Sequence, residues 1–388
     1  MGLHMLVRVT ILILLLTLMA TGLTGCWDLT EPNQLFYIMG SGIDKSDDGK
    51  IELSLQVPLP NQQGSNQGKG GGNPKQFVVV SGKGKNIFDA ASHIVEKSSR
   101  KLFGGHRFVV VINEEVAKQG FTQWLDELIR HPDNNTRARL FIVKGITAKG
   151  FLETQYKVEK YSSLSAYQAS TLIGYNNLLY EFQRDINNPV NYTILPVIES
   201  VTNNKEYEYN MHSIAILNKE HKLMTYMKDR EATSALWAAG KLHHTFITHY
   251  ISQGDGTISV DLRKIQRQVK LNIKGRVPSI HIKLSGKGIY TENNTNLDLL
   301  SPSVKESVTK EMSKRIQDDV RVVFDKVQKK YKSDIFGFGN EIARKHPDKW
   351  NNFKKNWDET FSKMDVTVEV NLSIQGGGLI GSGPKIAK

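Results

Sequence analysis

Residues 108–143 read FVVVINEEVAKQGFTQWLDELIRHPDNNTRARLFIV. The run Phe108-Val109-Val110-Val111-Ile112 has no polar side, the pattern of a strand buried on both faces. Asn113 offers a side-chain cap to a following helix that points Val116, Trp124, Leu125, Leu128 and Ile129 toward a core. His131-Pro132-Asp133 stops that helix, because proline has no N–H for the ladder. Leu140-Phe141-Ile142-Val143 is strand again. Upstream, residues 77–80 read as strand. Asn86 caps a helix with Ile87, Phe88, Ala91, Ile94 and Val95 on one side and Asp89 in its first turn. This alternation predicts a mixed sheet with helices. Downstream, Thr147 opens another helix, and residues 161–184 read as largely helical.

Nearer the amino terminus, residues 35–43 and 50–57 form a predicted hairpin turned by Asp44-Lys45-Ser46-Asp47-Asp48-Gly49. Asp44, Ser46, Asp48 and Gly49 also match the first, third, fifth and sixth positions of a calcium loop. Leu55, however, stands where that loop needs a bidentate carboxylate, so a plain turn is the reading. Residues 60–75 (PNQQGSNQGKGGGNPK) carry almost no apolar side chain and read as a flexible loop inserted within one domain. No GK[ST] follows them to make a phosphate cradle.

Beyond residue 190 the pattern changes. Residues 207–217, 223–227, 245–250 and 264–273 read as strands, with a helix over 229–242. His243, His244 and His249 are the one histidine cluster. His243 and His249 fit one strand face, but His244 and His249 share no face of a helix or strand, so no metal site is expected. Residues 279–288 alternate as a half-buried strand. Ser301-Pro302 opens a long helix with an apolar stripe through Val304, Val308, Met312, Ile316, Val320, Val323, Phe324, Val327 and Tyr331. Its about 28 residues span about 42 Å. Asp318 and Asp319 fall on its solvated side. Residues 365–374 are a closing strand. The expected fold class is α+β in three domains, each a mixed β-sheet flanked by helices. The expected boundaries are 26–200, 201–275 and 276–388.

The amino terminus reads separately. Residues 9–20 hold no charge and only two threonines, after Arg8. The run is short of the roughly 20 residues a spanning helix needs and fits the apolar core of a secretory signal. Leu23-Thr24-Gly25-Cys26 follows, with the one cysteine of the 388 residues. This ending resembles a bacterial lipobox. It implies that residues 1–25 are a lipoprotein signal peptide and that Cys26 carries a diacylglyceryl group, further acylated with a fatty acid such as palmitate. With that thiol acylated no disulfide can form, and stability must come from packed cores. A formal net charge of +12 fits equally an anionic membrane surface and ordinary solvated lysines. No arginine–aromatic array supports nucleic-acid binding.

Several stretches together resemble the Ger(x)C family, the C-subunit lipoproteins of spore germinant receptors. They are Cys26-Trp27-Asp28 and Gly40-Ser41-Gly42-Ile43-Asp44; then His106, Glu115-Val116-Ala117 and Leu128-Ile129-Arg130; and finally Asp334-Ile335-Phe336-Gly337-Phe338-Gly339 with Trp350 and Trp357. The resemblance implies a lipid-anchored protein on the outer face of the spore inner membrane, beside integral-membrane A and B subunits. It implies a complex that responds to small nutrients, with no catalytic activity and no cofactor. The one residue it transfers is Cys26, as lipid attachment site. The rival classes find less support. No GxSxG or HExxH motif and no free cysteine speak for a hydrolase. A lipid-anchored solute-binding protein of a transporter would need two similar lobes around a cleft. The three unlike segments do not suggest them, and no cleft-forming set of residues is visible.

Overall fold

The computed structural model describes residues 2–22, 30–59, 76–155, 159–188, 190, 192–203, 206–273 and 277–376. A helix, α1 (Gly2–Gly22), precedes the body. The first half then runs β1 (Leu35–Tyr37), β2 (Gly40–Lys45), β3 (Ile51–Pro58), β4 (Phe77–Gly84), α2 (Ile87–Val95), β5 (Lys101–Phe103), β6 (Val109–Asn113), α3 (Glu114–Gln119), α4 (Asp126–Arg130), β7 (Arg139–Lys144), α5 (Ala148–Glu153), α6 (Ser162–Leu172), α7 (Leu179–Ile186), β8 (Thr193–Asn203), β9 (Glu206–Leu217) and β10 (Leu223–Lys228). Eight of these strands make one sheet in the order β10-β9-β8-β7-β6-β2-β3-β4, and β1 pairs with β5 alone. The middle pairs β2/β6, β6/β7 and β7/β8 are parallel, and the flanks are antiparallel.

The centre of this sheet is dry on both sides, as the all-apolar run of β6 requires. Val110, Ile112, Leu140 and Ile142 face a core with α2, α3, α4 and α7. Val109, Val111, Phe141 and Val143 face the opposite core with α5 and α6. Each side chain so buried contributes about 1.5–3 kcal/mol. The period of two along the strands thus sorts neighbouring residues into separate cores.

Four local expectations are corrected. The helix expected after Asn113 breaks at Gly120, whose φ of 90° ends α3; a short 3₁₀ turn, Thr122–Trp124, leads into α4. The strand expected over 35–43 is split, because β1 pairs with β5 while β2 pairs with β3 and β6. Phe88 and Val95 are 67% and 46% exposed, and Ala90 is buried with Ile87 and Ile94 instead. The cause lies in β4, where a Cβ on Gly82 would sit 2.2 Å from the Ala90 carbonyl oxygen. The glycine draws α2 against the strand, and only a small side chain fits on that face. The fourth correction concerns residues 201–275, which build no sheet of their own: their first strands complete the eight-stranded sheet and their later ones open the next.

That second half comprises α8 (Asp229–Ala238), β11 (Thr245–Ile251), β12 (Gly256–Asn272), β13 (Ser279–Asn293), α9 (Pro302–Asp325), α10 (Phe338–Lys345), α11 (Pro347–Phe353), α12 (Trp357–Lys363) and β14 (Asp365–Gln375). The sheet order is β11-β12-β13-β14, antiparallel except for β13/β14. α9 continues into a π-helical turn, Lys326–Tyr331. Its expected stripe is buried at Val308, Met312, Ile316, Val320, Val323 and Phe324. One core joins this sheet to β8 and β9 through Trp237 of α8. The class is therefore α+β, with three sheets flanked by helices.

Candidate functional site

The predicted lipid site, Cys26, lies outside the described residues, as does the loop 60–75. Before Cys26, α1 presents Leu12, Leu14 and Leu16 more than 60% exposed. Among the described residues no helix is long and apolar enough to cross a membrane.

The residues that carried the family resemblance have specific structural work. On β2, a Cβ at Gly40 would lie 2.8 Å from Cβ of Ser163, and one at Gly42 3.0 Å from Cβ of Ala148. The two glycines let α5 and α6 lie directly on the strand. Ser41 between them accepts a 2.9 Å hydrogen bond from Nε of the buried Arg107, which also donates to Asn134 Oδ1 at 3.1 Å. Burial pushes the Arg107 guanidinium down to about 10, so it stays charged at neutral pH. Asp44 accepts from the backbone N–H groups of Ala148 and Lys149, both at 2.8 Å, and so caps α5. Its carboxyl is raised by burial, against the pull of those two N–H donors. Asp44 is thereby committed to a helix end and not to a cation. Among the described residues no group of three or more His, Cys, Asp or Glu side chains is placed to hold a metal ion. Gln56 of β3 completes this junction: its Nε2 donates to the Leu152 carbonyl at 2.6 Å and its Oε1 accepts from Ser163 Oγ at 2.6 Å.

The carboxy-terminal signature forms a second buried knot. Asp334 accepts from the N–H groups of Phe338 (3.1 Å) and Gly339 (2.7 Å) and from Nε1 of Trp357 (3.0 Å). Gly337 takes φ 72° to turn the chain into α10. A Cβ on Gly339 would lie 2.9 Å from the Trp357 ring. Phe336 and Phe338 pack with Phe324 and Phe361. Arg267 donates to the Phe336 carbonyl at 2.9 Å and to that of Ala239 at 3.3 Å; burial pushes it down to about 10. Trp350 meets Trp357 edge-on at 5.2 Å.

His243 precedes β11 and so does not share the strand face that its spacing from His249 allowed. His243 is exposed. His244 Nε2 lies 2.6 Å from Asp261 Oδ1, and Asp261 also receives Arg263 at 2.6 Å. His249 is buried on β11. Asp318 makes an i,i+4 pair with Lys314 on the solvent side of α9. Arg107, Gln56 and Arg267 escaped the sequence reading because their partners are distant: Arg107 lies 66 positions from Ser41, and Arg267 lies 69 from Phe336. A buried arginine within an apolar setting carries no local sequence signature.

Comparison with known proteins gives two family matches in order along the chain. Residues 28–200 match the spore germination protein N-terminal domain, and residues 212–378 match the family described as spore germination B3/GerAC like, C-terminal. Spore germination protein KC of Bacillus subtilis is 28% identical, covering 96% of this chain and 97% of its own. Spore germination protein B3 of the same organism is 28% identical, covering 94% and 96%. GerQC of Bacillus cereus is 20% identical, covering 94% and 98%. The crystal structure of the GerBC protein superposes with a TM-score of 0.58 at 21% identity, over 86% of this chain and 96% of that one, and so shares the fold. With both halves matched in sequence order and the fold shared, the chain belongs to the Ger(x)C family of spore germination proteins.

Proposed function

We propose that the protein is a lipid-anchored, non-enzymatic subunit of a spore germinant receptor. In this reading it is held at the outer face of the spore inner membrane through Cys26 and works with integral-membrane A and B subunits in the response to small nutrients. The observation that carries the reading is the pair of family matches, which together run from residue 28 to residue 378 behind a lipobox-like ending. The buried signature residues support it. Asp44 and Asp334 are both used to cap helix ends, the pattern of a scaffold and not of a catalyst.

Affinity isolation of the full chain from spore inner membranes is the test. The expected result is recovery of two multispanning proteins together with it. Isolation of the lipoprotein alone, with germination unchanged in its deletion strain, would overturn the reading. Calorimetry with alanine and glucose on the purified chain is expected to show no binding tighter than millimolar; micromolar binding would favour a solute-binding protein instead.

A further inference from the structure

Where the two larger sheets meet, the structure holds a cavity of about 440 Å³. Its walls come from β9, α8, β11 and α9 and from the chain around Tyr175. That size is within the range of small-molecule sites, which favour junctions between folding units. Most of the wall is apolar, from Tyr175, Trp237, Ile214, Ile247 and Ile316. The polar handles of Tyr175 and Trp237 are spent elsewhere: the phenol donates to the Ile194 carbonyl and the indole to that of Gln266.

Three buried polar side chains interrupt this wall. Ser213, Ser234 and His249 are 4%, 5% and 4% exposed and come from β9, α8 and β11. None of the three is seen hydrogen-bonded to a protein group among the described residues, and none of their polar atoms is among the fully enclosed unpaired ones, so each keeps a polar atom open to the cavity or to solvent. A wall built only for packing would be apolar at these positions. Arg230, Asp229 and Asp319 also line the cavity, one guanidinium against two carboxylates. Burial, with the Arg230 and Arg315 guanidiniums, pushes the His249 imidazole down against the pull of Asp319. The deep polar set is therefore neutral: two hydroxyls and an imidazole, able both to donate and to accept. Asp229, which opens α8 along the same wall, takes the left-handed φ of 50°, a conformation that non-glycine residues hold where surrounding structure imposes it.

We propose that this cavity is a binding site for a small, uncharged amphipathic molecule, whose apolar body lies against Trp237 and Tyr175 and whose amide or hydroxyl edge meets Ser213, Ser234 and His249. The site bridges the eight-stranded and four-stranded sheets, so its occupant would tie the two halves together. It goes beyond the receptor reading and stands or falls independently of it.

The test uses the full chain in lipid nanodiscs and saturation-transfer NMR with benzamide and nicotinamide, against benzoate and benzylamine as charged analogues of similar shape. The neutral amides should bind, and the charged analogues at least about tenfold more weakly. Ser213→Ala with Ser234→Ala should weaken the amides about tenfold, the loss expected for a missing hydrogen bond. Ala232→Leu should fill the cavity and abolish the signal, with circular dichroism reporting that the variants stay folded. Absence of amide binding, equal binding of all four probes, or amide binding indifferent to both variants would each overturn the proposal and leave a solvated crevice.

Discussion

The indole Nε1 of Trp357 donates to Oδ2 of Asp334 at 3.0 Å, across 23 positions of sequence and with both side chains buried. The same carboxylate receives the first N–H groups of α10, so one side chain joins two helices and the turn before them. Asp334→Ala leaves three buried donors without their acceptor and the nearby Arg267 guanidinium without its counter-charge. A loss of about 3–5 kcal/mol is expected. Urea unfolding reads it as a fall in midpoint at constant slope, and a loss below about 1 kcal/mol would show that the knot is dispensable.

Glycine positions make a paired prediction. Gly82→Ala forces β4 and α2 apart, because the new Cβ meets the Ala90 carbonyl oxygen at 2.2 Å. Overpacking of this kind costs about 1–3 kcal/mol. Gly49→Ala meets nothing within 4 Å and pays only for its φ of 81°, about 1 kcal/mol. Denaturation midpoints should rank the two variants in that order; the reverse order would mean that helix α2 is not pressed on its strand.

His249 sets a pH dependence near neutrality. Its folded-state imidazole is pushed below the ordinary value, first by burial and then by Arg230 and Arg315, with Asp319 opposing. The unfolded chain therefore takes up the proton first as pH falls. Stability from this group is present above about pH 6.5 and declines as pH drops below it. His221, also lowered by burial, adds in the same direction. Unfolding free energies measured from pH 7.5 to 5 should fall, and His249→Gln should flatten the slope. An unchanged slope in that variant would show that His249 titrates normally.

Much of the fold was visible one element at a time. The run Val109-Val110-Val111-Ile112 announces a strand with two cores, and the stripe from Val308 to Phe324 announces a helix with one. What stayed hidden was pairing across distance. Periodicity identifies β9 and β11 as strands, but nothing local says that the first joins β8 and the second joins β12. Helix phase failed at α2 because the deciding residue, Gly82, lies on another element. The lipobox-like ending before Cys26 stands out in the sequence because its signal is contiguous, while Cys26 itself lies outside the described residues. The inter-sheet cavity does not stand out, because Ser213, Ser234 and His249 come from three separate elements.

The anchor makes the last prediction. Each buried methylene contributes about 0.8 kcal/mol and one acyl chain holds a protein only marginally, so under the proposed anchoring a diacylglyceryl group is needed for stable attachment. In the proposed reading, Cys26→Ala removes the sulfur to which the lipid is attached. Metabolic labelling with a fatty acid should be lost, membrane recovery and the germination response should fall, and the circular dichroism of the body should be unchanged. Continued labelling of the alanine variant would refute Cys26 as the lipid site.

The parallel pairing of β13 with β14 has a consequence for biosynthesis. Ser279 sits opposite Asp365, and the whole of α9 to α12 is threaded between the two strands. During synthesis β13 therefore waits, with one edge open, while four helices are made, and α9 waits for the strand on which its stripe rests. The amino-terminal sheet has no such debt, since its strands are complete by residue 228. A ribosome that stops short of residue 365 thus releases a molecule whose first sheet is fully paired but whose rear half, and the face of β8 and β9 at Ile194, Ile214 and Ile216 that packs on it, stay adhesive; loss of β14 should lead to clearance by proteolysis as if half the protein were missing.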